Sequence, residues 1–136
     1  MKYLLDVSAL LAFGIIDHEF HERVAAWIRG LTSNAVLELA TCSITELGFV
    51  RVVAQTPRYG FTAPEARALL LRIKARQAAI FMFIPDDHDI SHIPGWVKFP
   101  KQITDGHLAE LARANGAVLA TLDRGIPGAF LIPEDK

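Results

Sequence analysis

Short apolar runs recurring between stretches of helical periodicity constrain this chain more than any other feature. Residues 2–6 (Lys-Tyr-Leu-Leu-Asp), 36–41, 79–84 and 117–121 read as short buried strands, with a last short strand within 129–132. Helical stretches fall between them. The first spans 8–14 and is capped by Ser8. The second spans 18–30, with Phe20, Val24, Trp27, Ile28 and Leu31 on one face. A third spans 44–55. A fourth opens at Thr62, with Pro64 in its first turn and Glu65 placed for a capping box. The last starts at Thr104 and is ended by Gly116. Residues 85–103 carry Pro85, Pro94, Gly95 and Pro100 and read as a long loop. Strands that alternate with helices imply an α/β fold with a mainly parallel sheet. At 136 residues this is a single domain over 1–136, and a hydrophobic content of 51% excludes disorder as the main state.

Charge and cysteine content narrow the function classes. The net charge of −1 gives no global attraction to nucleic acid or membranes. Its distribution is uneven. Between 51 and 76, six basic residues (Arg51, Arg58, Arg67, Arg72, Lys74, Arg76) face the single acid Glu65, a local charge of +5. The simpler reading is a solvated helix face; the alternative is contact with RNA phosphates or an acidic protein segment. The lone Cys42 forbids an internal disulfide and argues against a cysteine zinc site, which suits a cytoplasmic protein. The apolar run from Val7 to Ile16 is too short to span a bilayer, and Asp6 and Asp17 break a signal-peptide reading, so no membrane role is expected.

Four acids stand out by position. Asp6 ends the first strand, Asp123 follows the strand at 117–121, and Glu46 and Asp105 sit in the first turns of helices. Ligands of open parallel sheets bind beyond the carboxyl ends of the strands. Glu46 shares a helical face with Phe49, Val50 and Val53, and Asp105 with Leu108, Ala109 and Ala112, so both carboxylates point toward apolar sides. Each acid also has an ordinary explanation. Ser43-Ile44-Thr45-Glu46 fits a capping box, Asp105 suits a helix start, Asp123-Arg124-Gly125 suits a turn, and Asp6 suits an ion pair. Convergence is the more demanding reading, because two carboxylates about 5 Å apart repel by roughly 3 kcal/mol at an effective dielectric near 20. Such a cluster takes up protons or recruits a hard cation such as Mg²⁺ or Mn²⁺, the apparatus of phosphate-ester chemistry.

Leu4-Leu5-Asp6-Val7-Ser8, Thr45-Glu46-Leu47, Thr104-Asp105-Gly106-His107-Leu108-Ala109-Glu110-Leu111-Ala112 and Ala120-Thr121-Leu122-Asp123-Arg124 occur in that order and together resemble the PIN-domain nucleases, most of all the VapC ribonuclease toxins of toxin–antitoxin pairs. The Thr-Asp helix followed about eighteen residues later by Thr-x-Asp is the most specific part. The resemblance implies a three-layer α/β/α sandwich with a mainly parallel central sheet. It implies a metal-dependent endoribonuclease with Asp6, Glu46, Asp105 and Asp123 as an acidic quartet. Asp6, Asp105 and Asp123 would hold Mg²⁺ or Mn²⁺, and Ser8, Thr104 and Thr121 would orient waters or acids. It also implies an RNA substrate, a VapB-like antitoxin partner and a homodimer.

Candidate RNA contacts are Arg51, Trp96, Lys98, Lys101 and Arg124. Trp96 and Phe99 equally suit anchoring of the long loop to the core, against stacking on unpaired bases. His18, His21 and His107 read as surface residues, and Asp86, Asp87 and Asp89 as a solvated cluster around His88. An aspartyl phosphatase is disfavoured because Ser8 holds the place of its second acid. A receiver domain is disfavoured because neither the acidic pair near the first strand nor the later lysine that it needs is evident. The remaining rival is a non-catalytic metal- and RNA-binding or assembly module on the same fold.

Overall fold

The computed structural model describes residues 1–32, 37–76 and 80–134. Five strands, β1 (Lys2–Leu5), β2 (Glu38–Thr41), β3 (Ile80–Phe83), β4 (Ala117–Thr121) and β5 (Phe130–Leu131), form one sheet in the order β3-β2-β1-β4-β5. Every neighbouring pair is parallel. Five α-helices surround it: α1 (Val7–Gly14), α2 (His21–Thr32), α3 (Ser43–Gln55), α4 (Ala63–Lys74) and α5 (Ile103–Ala114).

The two faces of β1 show how the layers arise. Tyr3 and Leu5 point into a core built with Leu10, Trp27, Phe49 and Ile73 from the first four helices. Leu4 points the other way, into a second core with Leu108, Leu111, Ala112 and Leu119, so α5 covers that face. Alternation of side chains along one apolar strand thus produces the α/β/α sandwich. Tyr3, Trp27 and Phe130 pack ring to ring at 5.0 to 5.5 Å between centroids and close the end of the larger core.

Several boundaries move from their sequence-based positions, each for a local reason. Asp6, not Ser8, caps α1, because its extended backbone lets Oδ1 accept the Ala9 N–H at 2.8 Å. The second helix begins at His21 rather than 18; the His18 ring accepts the Phe20 N–H at 3.0 Å and holds a turn there. α4 opens as read, with Thr62 N–H donating to Glu65 Oε1 at 2.9 Å and Glu65 N–H to Thr62 Oγ1 at 3.3 Å. Residues 33–36 and 77–79 lie outside the described residues, and with them the first residue, 36 and 79, of two expected strands. The 85–103 loop contains two short 3-10 turns, Ile90–His92 and Pro100–Gln102, and α5 begins at Ile103, one residue before Thr104. No helix among the described residues is long and apolar enough to cross a membrane.

The loop closes onto α5 at Gly106. A Cβ there would lie 2.3 Å from Val97 Cγ2 and 3.4 Å from Pro94 Cδ. The valine is stiff at χ1 and cannot simply rotate away. Gly106→Ala is expected to destabilise the fold by about 1–3 kcal/mol through overpacking, read as a lower urea midpoint. Gly95→Ala, where nothing lies within 4 Å, should stay within about 0.5 kcal/mol. Equal midpoints for the two variants would refute the close-packing account.

Candidate active site

Asp6 is the most buried acid in the molecule's described residues, with 4% of its surface exposed. Its N–H donates to Ala120 O at 3.1 Å, continuing the β1–β4 ladder by one residue. Its two carboxylate oxygens are divided. Oδ1 caps α1, and Oδ2 accepts the Thr121 hydroxyl at 2.5 Å. The same Thr121 oxygen accepts the Asp123 N–H at 3.0 Å. One buried hydroxyl therefore ties the carboxyl ends of β1 and β4 together. Burial pushes the Asp6 carboxyl up to about 6, against the lowering effect of its bonds from Thr121 and Ala9, and the charges of Asp123 and Asp105 add to the rise. The bonds to Thr121 and Ala9 take the place of the ion pair weighed from sequence.

Asp105 and Asp123 line one cleft of about 420 Å³, whose rim carries Trp96, Lys101, Gln102 and Arg124. Burial raises the Asp105 pKa, and Asp123 raises it further. The cleft thus combines acids within with two cations and an aromatic at its edge. Arg124 also reaches Glu134 Oε1 at 3.1 Å. Asp6, Asp105 and Asp123 sense one another electrostatically, yet among the described residues no three His, Cys, Asp or Glu side chains converge into a ready-made metal cage.

Glu46 stands apart. It lines a different cleft, of about 450 Å³, between α3 and α4. Its Oε2 accepts the Thr41 hydroxyl at 2.5 Å and pairs with the Lys74 ammonium. The capping box weighed for Ser43 and Glu46 is made instead by Cys42 and Thr45, whose Oγ1 accepts the Cys42 N–H at 3.0 Å. Glu46 is therefore spared from serving its own helix start.

Lys74 was concealed in the basic run, where a solvated face was the simpler reading; its side chain is in fact only 23% exposed. The signal lay in topology. α3 and α4 are joined by a short connection, so the end of the second returns beside the start of the first. The other expected residues scatter. Ser8 is half-buried in the first turn of α1, and Thr104 is exposed. Arg51 is exposed on α3, and Lys98 faces an apolar groove with Ile90 and Ile103 rather than the acidic cleft. His107 is not a surface residue: its ring is 14% exposed and bonds Asp86 Oδ2 at 2.5 Å, which also removes Asp86 from the solvated cluster. His21 is tied down as well, with Nδ1–H donating to Ala12 O at 2.7 Å. Cys42 is buried, as read.

The Asp6 shift makes stability depend on pH. A carboxyl raised from 3.8 to about 6 on folding favours the folded state fully below pH about 3.8, and that contribution is lost as pH rises through about 6. The displacement corresponds to about 3 kcal/mol at most. Asn caps a helix as well as Asp does. Asp6→Asn should therefore be more stable than wild type by about 1–3 kcal/mol at pH 7.5, with the two denaturation curves converging near pH 4. Curves that stay parallel across that range would show that Asp6 is not the group responsible.

The PIN domain family profile matches residues 3–129. Ribonuclease VapC38 of Mycobacterium tuberculosis (strain ATCC 25618 / H37Rv) is 39% identical over 130 residues, covering 90% of this chain and 86% of that protein. Ribonuclease VapC44 of the same strain is 38% identical over 140 residues, covering 95% and 94%. Among solved structures, the crystal structure of VapBC2 from Rickettsia felis bound to a DNA fragment from their promoter superposes with a TM-score of 0.65 at 16% identity. It covers 99% of this chain and 100% of that one, a likeness of fold. The chain belongs to the PIN-domain family, in its VapC branch.

Proposed function

We propose that this chain is a metal-dependent endoribonuclease, the toxin of a VapBC-type pair, which hydrolyses RNA phosphodiester bonds at Asp6, Asp105 and Asp123 with support from Glu46. The observation that carries the reading is the buried Asp6–Thr121–Asp123 link, whose Asp123 lines a cleft together with Asp105, Lys101 and Arg124. A carboxyl held up at about 6 by burial and by two neighbouring acids is an unfavourable arrangement for folding alone. It becomes favourable once a cation arrives.

The donor set fits a hard ion. All three groups are carboxylates, which suit Mg²⁺ or Mn²⁺ over softer metals. Among the described residues no three such side chains close a cage, so an ion held here would keep several of its waters. When bound, such an ion supplies an activated water and screens phosphate charge. The chain's own residues do the rest. Thr121 fixes the rotamer of Asp6 and the backbone approach of Asp123. Lys101 and Arg124 offer charge to the RNA backbone at the rim, and Trp96 offers a face to an unpaired base. Ser8 and Thr104 serve as outlying polar groups.

The relatives are ribonucleases, which supports RNA as the substrate, and the likeness to the VapBC2 complex supports a VapB-type antitoxin as partner. A homodimer working in the cytoplasm completes the reading. The open geometry of the acids also favours a second reading, a binding module that keeps the cation site without turnover. One experiment separates them: incubation of a cellular RNA pool with wild type and Asp6→Asn, in Mn²⁺, in Mg²⁺ and in EDTA. The nuclease reading expects discrete products that need metal and fall on the order of 100-fold or more in the variant. Metal-dependent stabilisation with no products would leave the binding module standing, and equal cleavage by the variant would refute the assignment of Asp6.

A further inference from the structure

Trp96 lines two cavities. One is the acidic cleft of Asp105 and Asp123. The other is a smaller pocket of about 170 Å³ between α5, β4 and the segment at Pro127 and Gly128. The two lie one after the other along the same side of α5. Asp105 belongs to the first and Ala109, Glu110 and Arg113 to the second. Residues 123–126 wall the first, and 127 and 128 continue into the second. Glu110 is five residues beyond Asp105, about 7.5 Å along the helix, which is the reach of one nucleotide. The shared indole is held in place: its Cη2 atom lies 3.7 Å from the point where Gly106 would carry a Cβ.

The pocket has the character of a base site. Pro94, Trp96, Ala109 and Pro127 give it apolar walls, and its charged side chains are Glu110 and Arg113. Its volume suits one planar ring system and not a stretch of chain. Arg113 donates from Nε and Nη2 to Glu110 Oε2 and Oε1 at 2.8 and 2.5 Å. The pair is lopsided. The Glu110 side chain is 21% exposed and that of Arg113 74%, so the carboxylate is the sheltered partner. The bond from Arg113 holds the Glu110 carboxyl below its usual range, so it stays ionised and accepts only. Each of its oxygens keeps a lone pair after Arg113 is served. Two acceptors side by side match an edge with two adjacent N–H donors. Among the RNA bases only guanine offers that edge, at N1 and the 2-amino group. Adenine and cytosine set one amino group beside an acceptor nitrogen, and uracil flanks its N–H with two carbonyls, which a carboxylate repels.

We infer that this pocket is a base-recognition subsite that seats a guanine of single-stranded RNA beside the reacting phosphate, with Trp96 as its stacking wall and Glu110 as its reader. Bases of unpaired RNA are read in this way, by an aromatic face and by hydrogen bonds to the Watson–Crick edge. Arg113 is a positioning residue that fixes the carboxylate. The inference rests on the reading of the acidic cleft as a nuclease site for RNA.

The test measures binding apart from cleavage. Fluorescein-labelled hexauridylates with one central guanosine, inosine or adenosine, and the plain hexauridylate, are titrated in EDTA with the full-length wild type and Glu110→Gln, and followed by anisotropy. Wild type is expected to bind the guanosine hexamer about 10-fold more tightly than the adenosine and uridine ones. The inosine hexamer, which lacks only the 2-amino group, should fall between. Glu110→Gln should bring the guanosine hexamer to within about 2-fold of the others. Equal binding of guanosine and adenosine by wild type overturns the inference, and so does equal binding of guanosine and inosine, or a guanosine preference kept in Glu110→Gln. Should Glu110→Gln not fold, the wild-type ranking decides alone. Failure to bind any hexamer overturns the inference as well. If wild type also leaves a cellular RNA pool uncut in Mn²⁺, the nuclease reading falls with it, whereas equal binding with cleavage intact removes the guanine subsite alone.

Discussion

The hydroxyl of Thr121 holds this molecule's centre together. It donates to a carboxylate that ends β1 and accepts from the amide that follows β4. Both bonds are sheltered from water, so each is stronger than its surface counterpart and costly to leave unmade. Because Asp6 also caps α1, the first helix, the two central strands and the turn into Asp123 are set by one small polar network. A valine here would match the shape of Thr121 and strand two polar groups, Asp6 Oδ2 and the Asp123 N–H. The apolar packing on either side of the sheet is tolerant by comparison, since cores accept substitutions of similar volume.

The strand order explains why the network sits there. The chain builds outward from β1 through β2 to β3, then returns across the sheet to place β4 against the other side of β1. The crevice between β1 and β4 is the point where the winding reverses, and parallel sheets bind ligands at such points. Asp6 and Asp123 leave the two strands that flank it. Glu46 enters from the β2 side with its own counter-ion, Lys74. The site is therefore asymmetric in charge: acids with raised pKa values on the β4 side, a neutralised pair on the β2 side. The two electrostatic environments are separated by two strand spacings, roughly 10 Å of sheet edge.

Much of this was legible in the residues because its signals are local. Asp6, Asp123 and Glu46 announce themselves by falling just past apolar runs, and the boundaries of β4 and the capping of α4 follow from short-range chemistry. The failures share one cause, which is distance along the chain. Lys74 reads as part of a basic face until α4 is folded back on α3. His107 reads as exposed until the loop delivers Asp86 from 21 residues away. The capping of α1 by Asp6 rather than Ser8 is a smaller case, in which two candidates two residues apart compete and the strand's extended exit geometry selects the earlier one.

Asp105 shows how the fold solves its hardest problem. It is the one acid of the set that no strand end supplies. β3 is the outermost strand on its side, and β4 lies three positions away, roughly 14 Å across the sheet. The chain must cover that span and also change face, because α5 packs on the side opposite the other helices. A long loop over 85–102 is the consequence, and a long loop alone would leave Asp105 poorly placed. Three ties remove that freedom close to the residue. Gln102 Oε1 accepts the Lys98 and Phe99 N–H groups at 2.7 and 3.0 Å and stiffens the approach. His107 is anchored to Asp86 at the loop's beginning. Gly106 lets Val97 lie against the helix with no Cβ between them. The three ties act within five residues of Asp105, so the loop behaves as a strut that fixes where α5, and with it Asp105, begins.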